Sequence, residues 1–146
     1  MKVYPEAYSK ELDRLLPVGD VPAVRRGCEY YTLRNKEGRL LAAGACWKRW
    51  LHPTRINFYI AVEELYQRRG YGTMVFERMR ADHPDAKWQG SADLDNDIAE
   101  WWLRGLGFEF SCRRYWLDAM VIDLEEDERS GLHLTSYREM GKEQQE

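Results

Sequence analysis

The sequence predicts a mixed α+β fold, in which a sheet that includes a hairpin carries helices on its faces. Three observations predict it. Two strand-like segments flank a turn that contains Gly38. Residues 55–62, rich in β-branched and aromatic side chains, run through two glycines into a segment with helical spacing. A second helical segment follows at 96–106.

The first half of the chain is predicted to supply one helix and the hairpin. Apolar side chains recur at helical spacing before Pro17, which would stop the helix. Gly38 supplies the positive φ that a tight hairpin turn needs. The elements predicted in order are a helix at 6–16, strands at 28–34 and 39–47 around the turn 35–38, and a loop containing Pro53.

The second half alternates strands and helices. Asp95 is predicted to cap the second helix, and Gly105 with Gly107 would end it. The elements predicted in order are a strand at 55–62, a helix at 71–80, a strand at 86–92, a helix at 96–106 and strands at 108–117 and 119–124. Residues 1–125 are expected to form one domain, and residues 126–146 a charged tail or short helix.

Composition excludes several classes of function. The 146 residues are 44% hydrophobic and 32% charged with a net charge of −3, so no basic field favours nucleic acid. No segment resembles a signal peptide or a membrane span, and a cytoplasmic location is expected. Free thiols are expected and no metal, because no cysteine or histidine has a partner at zinc-site spacing. These residues are Cys28, Cys46, Cys112, His52, His83 and His133.

The junction after the strand 55–62 carries the functional prediction. It reads Gln67-Arg68-Arg69-Gly70-Tyr71-Gly72 and opens a helix. Paired glycines let the backbone fold closely, and the free N–H groups at the start of a helix attract anions such as pyrophosphate. An ordinary tight turn with solvated arginines explains the hexapeptide equally well. The segment lacks the third glycine of a dinucleotide-binding fingerprint and the Gly-Lys-Ser/Thr of a P-loop.

Two motifs together resemble the GNAT superfamily of acetyl-CoA-dependent N-acetyltransferases. Val62 followed by Gln67, Gly70 and Gly72 resembles the Gln/Arg-x-x-Gly-x-Gly/Ala motif that opens the cofactor-binding helix. Asn96-Asp97-Ile98-Ala99 followed by Leu106-Gly107-Phe108 resembles a later motif of the family. The resemblance covers roughly residues 55–110. It implies a mostly antiparallel sheet that splays between its fourth and fifth strands, flanked by helices, with acetyl-CoA as cosubstrate.

The resemblance implies a role for each motif residue. Backbone groups of Ala61, Val62 and Glu63 would contact the pantetheine arm, and the Val62 N–H would polarise the thioester carbonyl. Asn96 would hydrogen-bond the cofactor arm, although capping its own helix is the alternative. The residues expected to hold the pyrophosphate are Gln67, Arg68, Arg69, Gly70, Tyr71, Gly72 and Thr73.

The residues for proton transfer depart from the family pattern. Leu103 stands where many members have a tyrosine acid, and Ser91 stands where some have a glutamate base. Tyr115, or Tyr59, is therefore a candidate acid, and the alternatives are that each tyrosine packs among aromatic neighbours and that water supplies the proton. The carboxylates of Glu63 and Asp93 are candidate bases acting through a water, although solvated surface charge is the alternative reading.

Three functions are consistent with these motifs. The first is transfer of an acetyl group to a primary amine of a small molecule or protein. The second is a GNAT-fold module that binds acyl-CoA but lacks catalysis, which Leu103 favours. The third, acylation of an aminoacyl-tRNA, is suggested by arginine doublets and disfavoured by the acidic net charge. A homodimer is compatible with the resemblance, because dimers are common in the family.

Overall fold

The structure, a computed structural model, describes residues 1–17, 27–49, 52–93 and 95–111. Its helices and strands lie in one compact unit, Met1–Phe108. The strands are β1 (Val3–Glu6), β2 (Cys28–Arg34), β3 (Leu40–Arg49), β4 (His52–Val62) and β5 (Lys87–Gln89). The α-helices are α1 (Tyr71–Asp82) and α2 (Asp97–Gly105), and short 3-10 helices span Leu12–Arg14 and Glu64–Tyr66.

The five strands form one sheet in the order β1-β2-β3-β4-β5. Neighbouring strands pair antiparallel except β4 and β5, which are parallel because α1 crosses over between them. The predicted α+β class, with a mostly antiparallel sheet flanked by helices, is confirmed. No helix among the described residues has the length and apolarity needed to cross a membrane.

The sheet separates two buried clusters. On one face α1 packs against β2, β3 and β4 through Val75, Phe76 and Met79, which are at most 1% exposed. Gly44 of β3 permits this approach, because an added Cβ would lie 2.6 Å from Val75 Cγ1. On the other face the N-terminal segment contributes Leu12 and Leu16. Their neighbours from the strands are Tyr30, Leu40, Ala43 and Ala45.

Aromatic rings fill the space between α1, α2 and the end of the sheet. The Phe76 ring of α1 lies 5.0 Å from Phe58 and 5.5 Å from Trp88, measured between centroids. Trp102 of α2 joins the same cluster at 6.3 Å from Phe76. These two tryptophans are therefore packing residues, which the aromatic-rich composition predicts for small cores.

The predicted helix at 6–16 is wrong. Residues Val3–Glu6 instead form an edge strand paired with β2, and one 3-10 turn follows. The Glu6 carboxylate accepts hydrogen bonds from Thr32 Oγ1 at 2.6 Å and Arg34 Nη2 at 2.8 Å. This long-range pairing outweighs the local helical spacing. The apolar residues of that spacing still face inward, since Leu12 and Leu16 are buried.

Several predicted boundaries also shift. The expected loop around Pro53 is instead the start of β4. The register with β3 is irregular there, so a proline, which has no backbone N–H to donate, is tolerated. The strand predicted at 86–92 is only Lys87–Gln89. Residues 108–111 are described and form no strand. The rest of the strand predicted at 108–117, the strand at 119–124 and the segment 126–146 lie outside the described residues.

Candidate functional site

The site begins where β4 and β5 part. The two strands pair over three residues, from Arg55 opposite Lys87 to Asn57 opposite Gln89. β4 continues to Val62, paired with β3 alone among the described residues. At the fork, an added Cβ on Gly90 would lie 2.9 Å from Phe58 Cζ, so the Phe58 ring fills the base of the gap. The register of β4 against β3 is continuous here, so the strands part without a bulge opposite β3.

Backbone alternation decides which groups of β4 face this gap. The Glu63 N–H donates to the Leu41 carbonyl at 2.9 Å, and Val62 is paired opposite Ala42. In an antiparallel ladder, successive residues point their N–H and C=O groups alternately toward and away from the partner strand. The Glu63 and Ala61 N–H groups therefore face β3, whereas the Val62 N–H faces the gap. The predicted backbone contacts of Ala61, Val62 and Glu63 with a pantetheine arm stay predictions, and this alternation favours Val62 for them.

Gln67 closes the loop that follows β4. Its Nε2 donates to the Val62 carbonyl at 3.1 Å, and its backbone N–H donates to the Glu64 carbonyl at 3.3 Å. The sequence predicted that Gln67 holds a phosphate. In the structure these two donors shape the loop and fix the end of β4 against it.

The N-terminus of α1 meets the end of β4. Gly70 is the N-cap with φ of 81°, a left-handed conformation that glycine adopts without strain, and no described side chain caps this helix. The first helical bond runs from Met74 N–H to the Gly70 carbonyl at 3.0 Å. The preceding N–H groups, through Thr73, have no intrahelical partner and suit an anion. A Cβ on Gly72 would lie 3.5 Å from Val62 Cγ2, so these donors begin beside the gap.

The two arginines of the loop are exposed. Arg68 has a positive φ of 61°, a conformation that carries strain for a residue with a side chain. The Arg69 guanidinium lies 5.5 Å from the centre of the Tyr66 ring, and that of Arg39 lies at the same distance from it. Arg68 and Arg69 both place positive charge at the rim of the loop.

The Glu63 carboxylate is held by cations. Arg39 Nη2 donates to Oε1 at 2.8 Å, and Arg14 Nη2 lies 4.0 Å from Oε2. The hydrogen bond from Arg39 lowers the pKa of Glu63, against partial desolvation that raises it. A carboxylate with a lowered pKa accepts a proton less readily, which argues against the predicted role of Glu63 as a base.

Asn96 caps α2. Its Oδ1 accepts the Ala99 N–H at 3.1 Å, so the N-cap is Asn96 and not the predicted Asp95. This bond occupies the oxygen of the side-chain amide. Asp93, the other candidate base, is exposed, and its carboxylate makes no hydrogen bond to another described residue. Tyr115 lies outside the described residues.

Two neighbouring residues of α2 support the site without proton chemistry. Leu103 packs on the apolar cluster, with Cδ2 3.2 Å from the position of a Cβ on Gly90. Trp102 Nε1 donates to Thr73 Oγ1 at 3.0 Å and ties α2 to the first turn of α1. No local pattern predicts this bond, because it joins residues 29 positions apart.

Comparison with known proteins establishes the fold. No family model matches the chain, and no curated protein matches it in sequence. Among solved structures, aminoglycoside 6'-N-acetyltransferase AAC(6')-Ig from Acinetobacter haemolyticus is 14% identical with a TM-score of 0.63, covering 83% of this chain and 99% of that chain. AAC(6')-Iy in complex with CoA is 12% identical with a TM-score of 0.65, covering 82% and 99%.

A GNAT family acetyltransferase from Streptococcus pneumoniae is similar to the same extent, at 13% identity and a TM-score of 0.63, with 82% of this chain and 98% of that chain covered. The chain therefore has the fold of GNAT acetyltransferases, as the sequence motifs predict.

Proposed function

We propose that this chain is an acetyl-CoA-dependent N-acetyltransferase that acts on a primary amine of a small molecule or protein. One observation carries the proposal: the Val62 N–H faces the gap between β4 and β5. This gap lies next to the first turn of α1, which no described side chain caps. The solved structures of this fold include one with CoA and one with a bisubstrate analogue of CoA and acetylneamine, which supports the same cosubstrate here.

The two halves of the site suit the two ends of acetyl-CoA. The N–H groups from Gly70 to Thr73 would bind the pyrophosphate, with the positive end of the α1 dipole behind them. Arg68 and Arg69 would add charge from the rim. The pantetheine arm would run along the open edge of β4 and make the backbone contacts that β5 makes lower in the sheet.

The reaction needs a fixed donor and an oriented amine. The neutral amine nitrogen attacks the thioester carbonyl carbon. As negative charge develops on the carbonyl oxygen, this oxygen accepts a hydrogen bond from the Val62 N–H. The C–S bond then breaks, coenzyme A leaves as a thiolate, and the nitrogen loses its proton. One such hydrogen-bond donor stabilises the transition state by about 3 kcal/mol. Holding the amine and the thioester in line supplies much of the remainder.

Proton transfer involves other residues than those usual in the fold. The apolar Leu103 has no proton to give, and the pKa of Glu63 is lowered. We therefore propose Asp93, acting through a water, as the proton acceptor, and Tyr115 as the donor to the thiolate. Asp93→Asn should lower kcat with little change in KM for acetyl-CoA, whereas an unchanged kcat would remove Asp93 from the mechanism.

A matched pair of glycine variants tests the cofactor site. Gly70 and Gly38 both have φ of 81° and open space around the position of a Cβ, so Gly70→Glu and Gly38→Glu add equal strain and charge. In calorimetric titrations with acetyl-CoA, Gly70→Glu should weaken binding more than about tenfold, because its carboxylate repels the pyrophosphate. Gly38→Glu should bind like the wild type. Equal affinity in both variants would contradict the proposed site.

A second function is favoured by Leu103. A chain without a proton donor at this position could bind acyl-CoA and lack catalysis. The two functions are separated by a screen of amines for release of free coenzyme A thiol. Release with any amine supports the enzyme. Tight binding of acetyl-CoA without release supports the binding module.

A further inference from the structure

Three side chains of metal-ligand type meet away from the proposed acyl site. They are Glu29 of β2, Cys46 of β3 and His83, which follows α1. One ligand atom from each lies within 4.8 Å of the other two. No spacing in the sequence predicts this group, because its members come from three separate elements.

The topology brings these side chains together. Glu29 and Cys46 are directly opposite in the antiparallel pairing of β2 with β3, so their side chains share one face of the sheet. His83 is the C-cap of α1, the helix that covers this face. Its Nε2 lies 2.8 Å from Glu29 Oε2, and its ring packs 6.1 Å from Trp88 between centroids.

We propose that Glu29, Cys46 and His83 bind a divalent transition metal of the Zn²⁺ type. Thiolate sulfur, imidazole nitrogen and carboxylate oxygen are the ligands that Zn²⁺ takes in proteins. Tetrahedral coordination at usual bond lengths separates such atoms by roughly 3.3–3.6 Å. That separation lies inside the 4.8 Å limit, and the His83–Glu29 pair need open by only a few tenths of an ångström.

The charges around the group favour a cation. The carboxylates of Glu29 and Asp82 lie near the buried Cys46 sulfur, and Lys48 is the nearby side chain of opposite charge. A bound metal ion would stabilise the Cys46 thiolate by its own charge.

The group has access to solvent and a supporting residue. A cleft of about 590 Å³ is lined by Glu29, His83, Asp82 and Tyr31, among others. The Tyr31 hydroxyl donates to Glu29 Oε2 at 3.3 Å and orients the carboxylate, as outer residues do at metal sites. Three protein ligands leave a fourth position for water or an exogenous ligand from the cleft.

The proposed metal site is independent of the proposed acetyl transfer. α1 is 12 residues long, so His83 lies roughly 18 Å from the helix start that would bind pyrophosphate. The metal would join the end of α1 to β2 and β3. Its test therefore needs no acetyl-CoA and no activity measurement.

The test uses the full chain, stripped with a chelator and titrated with Zn²⁺ by calorimetry and with Co²⁺ by absorbance. We expect one ion per chain and a thiolate-to-cobalt charge-transfer band. Glu29→Gln, Cys46→Ser and His83→Gln should each weaken Zn²⁺ binding more than about tenfold. Cys28→Ser is the matched control, since Cys28 lies next to Glu29 but packs on the opposite cluster, and should bind like the wild type.

Two outcomes would overturn the proposal. One is a wild-type chain that takes up Co²⁺ without a charge-transfer band or takes up no metal at micromolar concentration. The other is Zn²⁺ affinity that Glu29→Gln and His83→Gln leave unchanged. Both of those side chains are at least partly exposed, so their variants should fold even where the buried Cys46→Ser does not. Circular dichroism of each metal-free variant checks its folding.

Discussion

At the scale of single residues, one charged cluster fixes the N-terminal edge of the sheet. Arg34 of β2 donates to both carboxylate oxygens of Glu6, from Nη2 at 2.8 Å and Nε at 3.1 Å, and also reaches Glu11 at 2.9 Å. Thr32 adds a hydrogen bond to the same Glu6 carboxylate at 2.6 Å. The hydrogen bond from Arg34 is the largest cause of the lowered pKa of Glu6.

Glu6→Gln should reduce the free energy of unfolding at pH 7 by about 1 kcal/mol, since the pair is partly exposed. Because the folded pKa lies below the ordinary 4.5, the stabilisation is complete above 4.5 and is lost as the pH falls through the folded value. Urea unfolding from pH 7 to pH 3 should therefore show the wild type converging on the variant. Glu37→Gln, in the exposed hairpin turn, is the control and should follow the wild type at every pH.

At the scale of elements, α1 lies against the sheet because Gly44 has no side chain. A Cβ there would lie 2.6 Å from Val75 Cγ1 and 2.9 Å from Met79 Sδ. Both contacts are closer than real Cβ atoms allow, and Val75 is fully buried, so the helix itself must shift.

Gly44→Ala should therefore lower the free energy of unfolding by about 1–3 kcal/mol through overpacking. Thermal or urea unfolding measures this change. Gly105→Ala, at the end of α2 with open space around its Cβ, should instead raise stability by about 0.5 kcal/mol. A neutral or stabilising effect of Gly44→Ala would mean that α1 does not pack on β3 as described.

A second prediction at the scale of elements concerns the hydrogen bond between Trp102 and Thr73, which joins α2 to α1. Trp102→Phe removes the Nε1–H donor but keeps an aromatic ring against Phe76, so a loss of about 1 kcal/mol is expected. Trp101 is 82% exposed on the same helix, and Trp101→Phe should leave the melting temperature unchanged. Equal losses in the two variants would argue against the link from α2 to α1.

Local patterns predicted the elements whose contacts are local. The hairpin of β2 and β3 follows from its turn, and α1 and α2 follow from their spacing and glycine stops. The N-terminal segment was mispredicted because its conformation depends on Glu6 bonding to Arg34, 28 residues away. Asp95 and Asn96 are both good capping residues, so the sequence alone did not distinguish them.

At the scale of the whole molecule, one part of the candidate site could be predicted from local sequence patterns, and another part depends on tertiary structure. The glycines of the loop at 67–72 predicted the tight turn into α1, where we propose that an anion binds. The direction of the Val62 N–H depends on the register between β3 and β4, which no local pattern contains. The group of Glu29, Cys46 and His83 could not be predicted from the sequence for the same reason, since strand pairing and helix packing assemble it.

The central claim is that acetyl-CoA binds across the fork of β4 and β5 with its pyrophosphate on the first turn of α1. A crystal structure of the CoA complex tests it most directly. We expect phosphate oxygens within hydrogen-bond distance, about 3 Å, of the N–H groups between Gly70 and Thr73, and the sulfur near the Val62 N–H. Phosphates bound elsewhere, or β4 and β5 paired along the whole length of β4, would contradict the account.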